Sequence, residues 1–66
     1  MEMTAGEKLR DLRGDKSQEE VARAVMISDS ALSSYENGDR TPRDDVKKRL
    51  AEYYGKTVGE IFFNEK

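Results

Sequence analysis

The 66-residue chain has no cysteine, no histidine and no tryptophan, and its only proline is Pro42. Without cysteine there is neither a disulfide staple nor a thiolate metal site, and without histidine the commonest metal ligand and acid–base group is also missing. That sets aside a zinc-stabilised mini-domain. It also argues against an enzyme, because there is no Gly-rich phosphate loop and the carboxylates fall on helix caps and exposed faces where nothing encloses them. No apolar run approaches the ~20 residues of a membrane span, and Met1-Glu2-Met3-Thr4 has neither the basic nor the apolar part of a signal peptide. The sequence therefore predicts a soluble, cytoplasmic protein with no cofactor, no metal and no visible small-molecule effector site. No repeat, low-complexity tract or linker interrupts it.

An excess of basic residues is also lacking. Twelve Lys and Arg stand against fourteen Asp and Glu, a formal net charge of −2. A basic stripe is the usual footprint of a nucleic-acid binder, so placement matters more than the total. From Ser17 to Asn37, Arg23 faces Glu19, Glu20, Asp29 and Glu36. From Gly38 to Tyr54, Arg40, Arg43, Lys47, Lys48 and Arg49 outnumber Asp39, Asp44, Asp45 and Glu52, so phosphate-binding cations must come mainly from this second stretch.

What the chain does have is helix punctuation. A domain of this length buries only about 60% of the surface its unfolded chain exposes, so one domain, residues 1–66, with a small core is expected, perforce reliant on helix packing and helped by oligomerisation. Thr4-Ala5-Gly6-Glu7 has the S/T-x-x-E form of a capping box and opens a first helix whose apolar stripe is Ala5, Leu9 and Leu12 and which stops at Gly14-Asp15. Ser17-Gln18-Glu19-Glu20 repeats the device for a second helix, with Val21, Ala22, Val25 and Met26 on its inner face. Met26-Ile27 then forms a turn, and Ser28 caps a third helix. Rotation at 100° per residue puts Ser28, Ala31, Leu32 and Tyr35 inward and Ser30, Ser33, Ser34 and Asn37 outward, with Asp29 on the flank. Asn37-Gly38 stops that helix. Thr41 as cap with Pro42 at the first helical position opens a fourth, carrying Val46, Leu50 and Tyr53/Tyr54. Thr57-Val58-Gly59-Glu60 opens a short fifth, in which Phe62 is expected in the core, followed by the polar tail Asn64-Glu65-Lys66. Phe63 is harder to hide and is the candidate for a dimer interface. The Ser17–Asn37 pair reads as two helices at an angle joined by a tight turn.

With Ser-Gln-Glu-Glu-Val-Ala (17–22), Tyr-Glu-Asn-Gly (35–38) and Arg-Thr-Pro (40–42) in this order, the chain resembles the phage-repressor and Cro-like helix-turn-helix family, also called xenobiotic-response-element-like regulators, over roughly Leu9 to Phe62. The resemblance implies an all-α, compact five-helix lambda-repressor-like domain with the helix-turn-helix at helices two and three (residues 17–37). It implies sequence-specific binding of double-stranded DNA by a bacterial or phage transcriptional regulator, a repressor, as a homodimer with the third helix in the major groove. Residue by residue, Gln18, Ser28 and Asn37 match phosphate contacts, and Arg40 and Arg43 match the basic loop that grips the backbone. Asp29, Ser30 and Ser34 match positions that read base edges, with Ser33 beside them. Arg13 and Glu36 match a structural ion pair between helices one and three.

The chain departs from the family pattern in three places. About two residues fewer separate Arg13 from Gln18, Met26 stands where the family usually has a turn glycine, and the reading face lacks Arg, Lys and Gln. The strongest bidentate readers of guanine and adenine are thus absent; serines remain, and Asp29 suits a cytosine amine. Taken alone, a serine-rich face reads as solvated surface, Gln18 as an ordinary capping-box residue, and Lys47, Lys48 and Arg49 as a solvated helix face. The alternative function is a helix-turn-helix scaffold used mainly for protein–protein contact, antitoxin-like or anti-repressor, which the acidic Ser17–Asn37 surface favours.

Overall fold

Local capping decides where four of the five helices begin. In the computed structural model, which describes residues 3–63, the five helices are α1 (Ala5–Arg13), α2 (Gln18–Ala24), α3 (Asp29–Asn37), α4 (Asp44–Tyr54) and α5 (Val58–Phe62). Met1-Glu2 and the tail Asn64–Lys66 lie outside the described residues. Thr4 and Glu7 close a reciprocal capping box, as do Thr57 and Glu60. At α2 only the serine's half is made, the Ser17 hydroxyl accepting from the Glu20 amide at 3.1 Å. Ser28 likewise accepts from the Ala31 amide at 3.0 Å.

The start of α4 corrects the sequence reading. Thr41 and Pro42 remain in the loop, and Arg43 occupies the cap position in extended conformation without a side-chain cap bond. Pro42 is buried, lining the same groove as Tyr35 and Phe62, so the ring serves packing and the helix begins only beyond it. Asp44 and Asp45 in the first turn supply the negative charge that this helix end favours.

The core takes Leu9 from α1, Val21, Ala22 and Val25 from α2 and its cap, Leu32 and Tyr35 from α3, Val46, Leu50 and Ala51 from α4, and Ile61 from α5. Two inward assignments fail here. Met26 is 72% exposed, because its φ of 62° turns it out of the α2 spiral, and Phe62 only packs against the core while Ile61 fills it. Lys47 is a third correction, since its side chain is only 14% exposed and its ammonium lies 5.6 Å and 5.1 Å from the ring centres of Phe62 and Phe63. None of the helices among the described residues is long and apolar enough to cross a membrane.

Gly6 sets how closely α1 meets α3. A Cβ there would run into the backbone carbonyls of Tyr35 and Glu36. The missing side chain lets the first turn of α1 rest on the last turn of α3, and this approach brings α1 into the site described next.

Candidate nucleic-acid interface

The outward surface of α3 follows from its two ends. Ser28 fixes the start, and at Gly38, in left-handed conformation, the amides of Gly38 and Asp39 turn back onto the carbonyls of Tyr35 and Ser34. Between these ends Leu32, Tyr35 and Glu36 are buried, leaving Asp29 and Ser30 exposed and Ser33 and Ser34 half-buried on the other side. Ser28, assigned inward from the sequence, is exposed: as the cap it precedes the helical spiral and does not share its inner face. The face is therefore short, polar and free of cations. Its hydroxyls can donate to or accept from any base edge, and Asp29 can only accept.

Glu36 is the buried centre beneath that face. Its side chain is fully buried, and its carboxylate accepts from Arg13 Nε at 2.8 Å, Arg13 Nη2 at 3.1 Å and Gln18 Nε2 at 2.9 Å. Arg13 also donates to the Lys16 carbonyl at 2.7 Å. One carboxylate thus ties α1, α2 and α3 together, and its hydrogen bonds raise the Arg13 pKa. Gln18 is half-buried with its amide nitrogen directed to Glu36, so this glutamine fixes the start of α2 relative to α3. Tyr54 lies close enough to feel the same carboxylate. Burial first, and Glu36 second, push its hydroxyl up to about 12, and that hydroxyl has no hydrogen-bond partner among the described residues.

Two cations meet the C-terminal end of α3, Arg40 at Tyr35 and Arg10 at Asn37. Arg40 holds its guanidinium 5.9 Å from the centre of the Tyr35 ring, and Arg43 is exposed at the start of α4. A residue that the sequence reading passed over joins them: Arg10 of α1 donates to Asn37 Oδ1 at 2.7 Å, while Asn37 Nδ2 reaches Ser33 Oγ at 3.4 Å. The signal was the spacing Gly6, Arg10, Arg13, which at i, i+4 and i+7 puts one polar stripe of α1 along the end of α3. Phe63 lies apart from this cluster, 57% exposed beside Lys47 and Val58. No group of three or more acidic residues among the described residues is placed to hold a metal ion.

This arrangement of α2, turn and α3 agrees with the comparison by sequence profile, in which the Helix-turn-helix family matches residues 7–61. The chain belongs to the helix-turn-helix family, in its phage-repressor and Cro-like form. The helix-turn-helix chain is 36% identical over 56 residues to the cryptic phage CTXphi transcriptional repressor RstR of Vibrio cholerae, a match covering 82% of this chain. It spans about half the length of that curated relative, 50% of which is matched. In three dimensions it resembles the P22 c2 repressor protein, solved in complex with a synthetic operator in the presence of Tl+, with a TM-score of 0.91 over 97% of this chain and 100% of the other. At 18% sequence identity that likeness is one of fold. The helix-turn-helix fold thus tolerates the two departures at its joints: α1 ends at Gly14, φ 56°, and Met26 adopts the left-handed turn without a glycine.

Proposed function

We propose that this chain, residues 1–66, acts as a single DNA-binding domain of a cytoplasmic transcriptional regulator, a repressor, and not as an enzyme. Two copies bind a two-fold-symmetric operator with α3 of each in the major groove. The observation that carries the reading is family membership across residues 7–61 combined with an α3 whose outward side chains are all short and polar. Asp29, Ser30, Ser33 and Ser34 read base edges; Ser28, Asn37, Arg40 and Arg43 hold phosphates, with Gln18 at the edge of that set; and Phe63 contributes to the contact between copies. Because serine and aspartate make weaker base contacts than arginine on guanine, water-mediated contacts and DNA shape carry much of the specificity.

Selection of bound duplexes from a random pool tests this reading. A consensus with two-fold symmetry is the expected result, and failure to enrich any sequence at low salt contradicts it. The cation-free face of α3 favours a second reading, contact with a basic protein partner. Salt separates the two, since affinity of a DNA binder for mixed-sequence duplex falls steeply between about 50 and 200 mM salt, with a slope set by the phosphates neutralised.

A further inference from the structure

The geometry points to Arg10 as a DNA-phosphate contact that works jointly with Asn37, supplying charge and fixing which end of the asparagine amide faces the backbone. This rests on the DNA-binding reading above and extends it from α3 to α1.

The charge is available. Arg13 is paired with Glu36, Arg23 with Glu19 at 3.6 Å and Arg49 with Asp45 at 3.3 Å, whereas Arg10 bonds a neutral amide oxygen and has no carboxylate within ion-pair distance among the described residues. Glu7, one turn back on α1, has its carboxylate turned to the Thr4 amide at 2.9 Å in the capping box. Arg10 is exposed, so its remaining N–H groups are open to solvent.

The orientation follows from donor–acceptor chemistry. A phosphate oxygen only accepts, so Asn37 is useful to it through Nδ2 alone; an outward Oδ1 would be repelled. A guanidinium only donates, so Arg10 draws Oδ1 to itself and leaves Nδ2, with one long bond to Ser33, on the side of the outward face. Gly6 makes the pairing possible, because a side chain there would lift α1 away from the end of α3.

The test is the salt dependence of binding to a mixed-sequence duplex by fluorescence anisotropy, with folding of each variant checked by circular dichroism. Arg10→Met keeps the aliphatic stem and removes the charge. It is expected to make the slope of log K against log salt shallower by about 0.9, with an affinity loss of about fivefold to tenfold at 0.1 M salt. Arg10→Lys is expected to retain the native slope. Asn37→Ala is expected to weaken the native protein more than it weakens Arg10→Met, the signature of coupled residues. If Arg10→Met is folded and keeps the native slope, Arg10 merely caps the end of α3 and the inference is overturned, while the DNA-binding reading stands. If the native protein shows no salt-dependent binding, that reading fails and takes the inference with it.

Discussion

Met26 shows most plainly where a single residue conflicts with its place. Its φ of 62° costs a side-chain-bearing residue about 1–2 kcal/mol, and with 72% of its surface exposed it recovers little by packing. Met26→Gly removes the strain but adds unfolded-state freedom worth about 0.5–1 kcal/mol. The expected net is a stabilisation of about 0.5 kcal/mol, a rise in melting temperature of about 2–4 °C for a domain of this size. A fall in thermal denaturation would mean that the methionine makes a contact that offsets its conformation. This conflict was legible in the sequence, since the missing turn glycine marks the position. The outward swing of the side chain was not, because helical periodicity extends the α2 face one residue too far.

At the scale of elements, the junction of α1, α2 and α3 rests on the Glu36 carboxylate and its three donors. Arg13→Ala leaves that charge buried beside Gln18 alone, with an expected loss of about 3 kcal/mol or more in chemical denaturation. Arg13→Ala combined with Glu36→Met removes the stranded charge and is expected to recover part of the loss. A double variant no more stable than the single one would show that the residues do not act as a pair. The family resemblance supplied the pair Arg13 and Glu36 but not the involvement of Gln18, whose place in the capping pattern disguised a contact between helices. Thr41-Pro42 misled for a related reason: the pattern is a sound helix start by local rules, and burial of the proline against Tyr35 and Phe62 overrides it.

For the whole molecule, acid sensitivity follows from how the helices are capped. Bonds from Thr4 hold Glu7, and bonds from Thr57 hold Glu60, below the ordinary value of 4.5. Carboxyls depressed in the folded state stabilise it above their unfolded pKa, and that contribution is lost as pH falls through the folded values. The melting temperature is therefore expected to fall as pH drops below about 4.5. A Glu7→Gln/Glu60→Gln variant should melt lower at neutral pH and fall less steeply in acid; an acid limb identical to the native one would exclude the capping boxes as its source. Five helices and their stops were readable because each is announced locally by a cap, a stripe or a glycine. The contact of Arg10 with Asn37 was not, since it depends on Gly6 allowing a close approach of α1 to the end of α3, some thirty positions along the chain.

If the plain serine face of α3 reads DNA, its removal must alter sequence preference. The decisive experiment is to select bound duplexes from a random pool with the native protein and with Ser30→Ala/Ser34→Ala, both confirmed as folded. A changed preferred sequence with little change in melting temperature is the expected result. An identical preferred sequence for the two proteins would contradict it.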